Sequence, residues 1–195
     1  MHTHTAPALP PLQTVPTSQR PQLVAFIHDS YAYFYYRRGK FNAALQSVNK
    51  AMRTHLKREE WAHVAKCHLH TGTVLAKLKK HDESVRCMGQ VLAMVEDHRL
   101  EAGGASAQKI CLIAVCYHNI AVEQLYLRRF TEACVSSQNA RRLARLSMSY
   151  SNKWLKAFES THKSCLGALA AQNQRDQLDD EQKALFKNLT RALYS

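Results

Sequence analysis

Apolar residues recur every three or four positions along most of this chain, which is the spacing of one face of an α-helix. In residues 23–55 they fall at Leu23, Phe26, Ile27, Tyr31, Phe34, Tyr35, Phe41, Ala44, Leu45, Val48, Ala51 and Met52. The series is interrupted at residues 37–40, where Gly39 can adopt the left-handed conformation that ends a helix. The pattern predicts two helices joined by a tight turn, with about half of the tyrosines at positions 31–36 in the core.

Two further segments repeat this arrangement of helix, turn and helix. Residues 61–94 have their turn at 79–83, and residues 117–146 have theirs at 127–130. Three positions in the second helix of each segment correspond: Ala44, Val48 and Ala51, then Ser84, Met88 and Val91, then Ala133, Ser137 and Ala140. Gly72 is the small residue in the first helix of the second segment, where it lets two backbones approach. The chain is therefore predicted to be all-α, with three successive helix hairpins.

The three segments resemble tetratricopeptide repeats, whose helix hairpins stack into a right-handed solenoid. The likeness covers residues 23–146 and is closest at Gly39-Lys40-Phe41-Asn42-Ala43-Ala44-Leu45, with Ala51 further along the same helical face. Phe130, just after the third turn, matches the aromatic residue that fills the groove between two helices. The chain departs from the family pattern at His28, His68 and Tyr117, where an early Trp is usual, and no Pro closes a segment.

In tetratricopeptide-like stacks the first helix of each hairpin lines a concave groove that binds peptides or helices. The resemblance puts these residues on the groove: Tyr33, Tyr36, Arg37, Lys66, His70, Thr73, Lys77, His118, Asn119, Val122 and Tyr126. Their aromatic, amide and basic groups suit an extended or helical peptide with some acidic character. The resemblance thus implies a non-catalytic scaffold or adaptor that joins proteins. Contacts with the two ends of the chain are the other role open to these residues.

The charge of the chain is strongly basic, with a formal net charge of +12. Five arginines on and near the third hairpin are predicted to form a basic patch: Arg128, Arg129, Arg141, Arg142 and Arg145. Such a patch favours acidic partners, either an acidic protein segment such as a tubulin tail or nucleic acid. The alternative function is therefore an RNA-associated or ribonucleoprotein subunit. A merely solvated helix surface explains the charge equally well.

The two ends of the chain differ from its middle. Residues 1–21 are rich in Thr and Pro and are predicted to be an extended or disordered arm, while residues 22–171 form the repeat domain. Residues 103–106 are predicted to be an enlarged linker. The polar residues 172–177 predict a break, after which Asp179 and Gln182 form a capping box. Residues 178–195 would then be a second C-terminal helix that caps the stack or docks on a partner.

Six cysteines lie within helical patterns and form no small disulfide framework. With no apolar stretch long enough to cross a membrane and no secretory signal pattern, the sequence predicts an intracellular reducing compartment. The protein is expected to be a cytoplasmic subunit of a larger assembly, with a cytoskeletal or flagellar assembly as one option. A mitochondrial leader fits the sequence less well. His63, Cys67 and His70 share one helical face, but they lack a fourth ligand. No metal is therefore expected, and no cofactor or catalytic residue is predicted either.

Overall fold

The computed structural model describes residues 20–100, 107–149 and 152–194, with side chains described as far as residue 188. These residues form seven α-helices and no strand: α1 (Arg20–Arg37), α2 (Phe41–Lys57), α3 (Trp61–Lys77), α4 (His81–Glu96), α5 (Ala107–Tyr126), α6 (Phe130–Ser147) and α7 (Lys153–Tyr194). The all-α prediction is confirmed. The chain divides into two compact units, residues 1–67 and 68–195, and the division falls within α3.

The same three-residue turn joins helices at residues 38–40, 58–60, 78–80 and 127–129. The middle residue of each turn has a positive φ: Gly39 at 71°, Glu59 at 54°, Lys79 at 62° and Arg128 at 58°. The third residue donates its backbone N–H to a carbonyl five positions earlier, as Lys40 does to Tyr35 at 2.9 Å and Arg129 to Gln124 at 2.9 Å. This bond belongs to the Schellman motif, which satisfies the last carbonyls of a helix. The next helix therefore begins without a linker.

Unit 1 contains α1, α2 and the first part of α3. Its core is made of small side chains, with Ala32, Val48, Ala51 and Cys67 buried together and Met52 packed against them. Ala25 and Ala44 are also fully buried. Small side chains at these positions let the helix backbones lie close to each other.

Unit 2 contains the rest of α3 and helices α4–α7. One core cluster joins α5, α6 and α7 through Ala114, Ala140, Ala144, Leu155 and Phe158. A second joins the same three helices through Ala121, Ala133 and Cys165. The long helix α7 is therefore held to the unit by its first half.

Burial of the second helices agrees with the predicted alignment of the three segments. The nine corresponding positions in α2, α4 and α6 are each at most 1% exposed: Ala44, Val48, Ala51, Ser84, Met88, Val91, Ala133, Ser137 and Ala140. The right-handed solenoid and the tetratricopeptide family stay predictions.

Two predicted boundaries are wrong because helices extend through them. Arg20 and Pro21, assigned to the N-terminal arm, belong to α1, and α5 begins at Ala107 rather than near Tyr117. Proline fits the first turn of a helix because its missing N–H has no partner there in any case. The rest of the arm and the linker at residues 103–106 lie outside the described residues.

The predicted break at residues 172–177 is also wrong, since α7 continues through it. Residues 168–194 contain no Gly or Pro, and polar side chains alone do not end a helix. Some of them bridge successive turns, as Gln177 does by donating to Glu181 at 3.3 Å. One helix thus replaces the two predicted ones. Its side chains from residue 173 to residue 188 are all exposed.

Among the described residues, no helix combines the length and the apolar character that crossing a membrane requires.

Candidate functional site

Helix α1 turns its alanines inward and its large apolar side chains outward. Its buried residues are Ala25 and Ala32. The exposed ones are Val24, Phe26, Ile27, Tyr31, Tyr33 and Phe34, with exposed fractions between 36% and 67%. The prediction that about half of the tyrosines at 31–36 are core residues is wrong: Tyr31 and Tyr33 are exposed and Tyr35 and Tyr36 are half-buried. Apolar residues occur all around this helix. The alanines face its neighbours because small side chains let the helix backbones lie closest together.

Four of the exposed side chains line up along the helix. Val24, Ile27, Tyr31 and Phe34 are spaced three, four and three residues apart, so they share one side of α1. We call this side the α1 outer face. A shallow pocket lies on it, lined by Ile27, Ser30, Tyr31 and Phe34. At the C-terminal end, the guanidinium of Arg38 lies 5.2 Å from the centre of the Phe34 ring, so the apolar stripe ends in a positive charge.

The groove residues predicted in unit 1 lie away from this face, since Tyr33 and Tyr36 are on other sides of α1 and Lys66 is on α3. Tyr33 is 62% exposed, and its hydroxyl accepts a hydrogen bond of 3.1 Å from the guanidinium of Arg37. Tyr36 is half-buried, with its ring 5.9 Å from that of Phe41, and Lys66 on α3 is exposed. Tyr33 and Arg37 thus form a separate exposed pair on another side of α1.

The groove residues predicted in unit 2 have mixed environments. His70 and Lys77 are exposed, while the half-buried Thr73 donates its hydroxyl to the carbonyl of Leu69 at 2.9 Å. Asn119 and Val122 are half-buried as well.

His118 and Tyr126 lie two turns apart on α5 and differ in their burial and contacts. The His118 ring lies 4.5 Å from that of Phe158 on α7, and burial lowers the pKa of this histidine. Tyr126 is 64% exposed and stacks on His81 at 4.8 Å between ring centres. His81 in turn contacts the buried carboxylate of Glu123 at 2.6 Å. His118 thus belongs to the contact between α5 and α7, whereas Tyr126 faces solvent.

The five arginines of the predicted basic patch fall into two groups. Arg128 and Arg129 lie in the turn before α6, and the other three lie in its last turns, about 18 Å further along at 1.5 Å per residue. Three of the five face carboxylates. Arg129 pairs with Asp82 at 2.7 Å, while Arg141 and Arg145 share Glu159 at 3.5 Å and 3.0 Å. These ion pairs set two carboxylates, Asp82 and Glu159, against the five arginines and so offset part of the local positive charge.

The cysteines are free thiols, and Cys67, Cys116 and Cys165 are buried. Burial raises the pKa of Cys116 to about 12, and burial together with the carboxylate of Asp29 raises the pKa of Cys67 to about 12. Burial raises the pKa of Cys87, Cys134 and Cys165 as well. Thiols of this kind stay protonated at neutral pH and are poor nucleophiles.

The sequence pattern includes Ile27, Tyr31 and Phe34 of the α1 outer face, but not Val24, and it assigns them to the apolar face of a packed helix. The signal that could have corrected this is the distribution of apolar residues around the whole circumference of α1 rather than along one side. Comparison with known proteins supplies no relative: no protein-family model matches the chain, and no curated protein matches it.

Proposed function

We propose that this protein is a non-catalytic protein–protein interaction scaffold whose α1 outer face binds an amphipathic helix of a partner protein. The observation that carries the proposal is the exposure of Val24, Ile27, Tyr31 and Phe34 in one stripe. A helix that is apolar all round is typical of helices with neighbours on every side. An exposed apolar patch on a soluble protein commonly marks an interaction site. Aromatic side chains provide the largest contact area in such sites.

The spacing of the stripe favours a helical partner. Residues 24–34 span about 15 Å along α1, the length of roughly three helical turns. Apolar side chains at intervals of three and four residues on the partner would pack between those of the α1 outer face.

The charge at the end of the stripe favours acidic residues in the partner. Arg37, Arg38 and Lys40 follow the apolar residues directly, and the chain carries a net charge of +12. An acidic residue next to the partner's apolar side chains would face these cations. A purely acidic extended tail, such as that of tubulin, would leave Tyr31 and Phe34 exposed and therefore fits less well. A small basic subunit of a larger assembly, cytoskeletal or flagellar, is compatible with such a partner.

RNA binding is the competing function, and it is supported by the net charge. The ion pairs of Arg129, Arg141 and Arg145 with Asp82 and Glu159 weaken that support, because paired arginines release fewer counterions from phosphates.

A photo-cross-linking experiment tests the proposal. A photoreactive phenylalanine analogue replaces Tyr31 in the full chain, and a second protein carries it at Leu146, an exposed apolar position on α6. After irradiation in cell extract with and without nuclease, the cross-linked peptides are sequenced. We expect position 31 to capture one protein segment with apolar residues at helical spacing beside Asp or Glu. Cross-links from position 31 to residues 1–19, to a second copy of the chain or to RNA would contradict the proposal.

A binding measurement with matched variants completes the test. The captured segment is synthesised, and its affinity is measured for the wild type, for Tyr31→Ala with Phe34→Ala, and for Val135→Ala with Leu146→Ala. All four residues are exposed, so both variants are expected to fold. Loss of two aromatic contacts should weaken binding by at least tenfold, since single central aromatic residues commonly contribute over about 1 kcal/mol. Equal affinities for the two variants would rule out the α1 outer face.

A further inference from the structure

Three side chains that can bind a metal ion converge inside unit 1, each from a different helix. Asp29 comes from α1, His55 from α2 and Cys67 from α3, and their potential ligand atoms all lie within 4.8 Å of one another. His55 is 3% exposed and Cys67 is 1% exposed. Asp29 is 28% exposed, so the cluster is closed on one side and reaches solvent on the other.

The imidazole of His55 is oriented by Glu60. Its Nδ1 lies 2.7 Å from a carboxylate oxygen of Glu60, and this carboxylate is itself held by Arg58 at 2.8 Å and by Gln22 at 3.2 Å. The Nε2 atom therefore points toward the other two groups. A carboxylate that fixes one nitrogen of a histidine and leaves the other to a metal ion is a recurring arrangement in metalloproteins.

The three converging groups make only weak contacts with one another. His55 Nε2 lies 3.5 Å from an oxygen of Asp29 and, among the described residues, this buried atom has no hydrogen-bond partner. The Cys67 sulfur lies 3.8 Å from the other Asp29 oxygen, and a thiol is a weak donor. A buried polar atom without a partner lowers stability unless something binds it.

We propose that this cluster binds a divalent transition-metal ion, Zn²⁺, through the carboxylate of Asp29, Nε2 of His55 and the sulfur of Cys67. The Cys67 thiol, protonated in the metal-free protein, releases its proton to solvent as the sulfur–zinc bond forms. Glu60 acts as a positioning residue through His55. The proposal is independent of the function proposed for the α1 outer face. This metal site differs from the sequence-based prediction, in which no metal is expected.

The distances between the donor atoms are close to those around a bound ion. Zinc bonds of about 2.0–2.3 Å with tetrahedral angles put neighbouring ligand atoms about 3.3–3.6 Å apart. Each oxygen of Asp29 has one neighbour near that range, His55 Nε2 at 3.5 Å from one oxygen and the Cys67 sulfur at 3.8 Å from the other. One ligand atom from each residue lies within 4.8 Å of the others, so small side-chain shifts would close the set around an ion. One oxygen, one nitrogen and one sulfur donor suit Zn²⁺ or Co²⁺, whereas Mg²⁺ and Ca²⁺ prefer oxygen alone. Water can take the fourth position from the solvent side of Asp29, as in zinc sites with three protein ligands.

The ligand set differs from the one that helical spacing indicates. Cys67 belongs to both sets, but its partners here are Asp29 and His55 rather than His63 and His70. His63 stacks on the His55 ring, with 4.7 Å between ring centres, and so supports its orientation. Residues far apart in sequence meet only through packing of α1, α2 and α3, which spacing along one helix cannot reveal.

Cobalt binding to the full chain tests the proposal directly. Co²⁺ is added to chelator-treated protein in a His2→Ala, His4→Ala background, so that histidines at the start of the chain cannot bind it. A thiolate–cobalt charge-transfer band and the strong visible bands of four-coordinate Co²⁺ are expected at one equivalent. Zn²⁺ should displace the cobalt and raise the melting temperature. Absence of the charge-transfer band in this protein would overturn the proposal without any further variant.

Matched variants locate the site. Cys67→Ser should abolish the charge-transfer band, and Cys116→Ser should keep it, because both thiols are buried but only Cys67 lies beside Asp29 and His55. Glu60→Gln should weaken Zn²⁺ binding by about 10–100-fold, as loss of such positioning carboxylates does elsewhere. The control for it is Glu123→Gln, which alters a histidine–carboxylate pair of the same kind at His81. If Cys67→Ser fails to fold, the comparison of Glu60→Gln with Glu123→Gln decides. Equal Zn²⁺ affinities of these two variants would contradict the proposed site.

Discussion

Gly72 on α3 lies directly against Met88 on α4, in a contact that has no room for another atom. A methyl group at position 72 would be 2.8 Å from both Cγ and Cε of Met88, and 3.3 Å from the carbonyl oxygen of Ser84. The Ser84 hydroxyl donates a hydrogen bond of 2.8 Å to the carbonyl of Gly72. The two helices of this hairpin are therefore in close contact at Gly72.

Gly72→Ala should destabilise the protein by about 1–2 kcal/mol. Overpacking a filled core typically costs about 1–3 kcal/mol, and the better helix propensity of Ala returns up to about 1 kcal/mol. Met88 is 1% exposed, so it cannot swing into solvent to make room. Urea denaturation followed by circular dichroism measures the free energy of unfolding.

Gly167 supplies the control for this substitution. It lies within α7, and a methyl group there would meet nothing within 4 Å. Gly167→Ala should therefore raise the free energy of unfolding by up to about 1 kcal/mol through helix propensity alone. If both alanine variants were stabilised, Met88 would have room to move and the close contact would not matter.

Much of this fold could be predicted because its helices have strong local signals. Ala44, Ser84 and Ala133 recur in the same phase, and each is fully buried. Gly39 marked its turn because glycine tolerates a positive φ. Glu59, Lys79 and Arg128 occupy the same place in their turns, but these side chains carry no such signal.

The functional surfaces could not be predicted so well, because they depend on packing. Ala25 and Ala32 face inward on α1 although Phe26 and Phe34 are far more apolar, and no local rule distinguishes the two arrangements. Polarity at residues 172–177 suggested a break, yet a solvated helix needs no apolar face to continue. The cluster of Asp29, His55 and Cys67 joins three helices and has no pattern along the chain.

Stability should fall as the pH drops below about 6.5, the usual pKa of histidine. Burial lowers the pKa of His68, His118 and His162 in the folded protein. Below the unfolded pKa the unfolded chain binds protons that the folded chain does not, so protonation favours unfolding. This loss begins near pH 6.5 and ends once the pH is below the lowered folded pKa of each histidine.

Two neighbouring variants on α5 check this pH dependence. His118→Gln should give a smaller decrease in the free energy of unfolding between pH 8 and pH 5.5 than the wild type gives. Asn119→Gln, at a half-buried position without a titrating group, is the control and should keep the full decrease. An unchanged pH dependence in His118→Gln would show that this ring titrates freely.

Arg128→Gly should stabilise the protein by about 0.5–1 kcal/mol. Arg128 has a φ of 58°, and a side chain in the left-handed region costs about 1 kcal/mol or more relative to glycine. Arg142→Gly, at an exposed position inside α6, should instead destabilise by about 1 kcal/mol, because glycine weakens a helix interior. Thermal denaturation of the two variants should shift in opposite directions; shifts of the same sign would contradict the assigned turn geometry.

Removal of the outer half of α7 should leave the stability of unit 2 nearly unchanged. The side chains of residues 173–188 are exposed, whereas Leu155, Phe158 and Cys165 are buried among those of α5 and α6. A chain ending at Gln172 should therefore lose helical signal but keep its melting temperature within a few degrees. Phe158→Ala should lower the free energy of unfolding by about 3–5 kcal/mol, as is usual for a fully buried Phe.

A full-length variant separates the continuity of α7 from its length. Gln177→Pro places a residue that costs about 3 kcal/mol in a helix interior where the side chains on either side are solvated. The local helix should break and the circular dichroism signal should decrease, while the cooperative unfolding of unit 2 stays at the same temperature. A large drop in melting temperature, in this variant or in the shortened chain, would mean that the outer half of α7 covers the unit after all. An unchanged temperature in both would leave an exposed helix bearing Leu178 and Leu185, available for contacts that the isolated chain does not make.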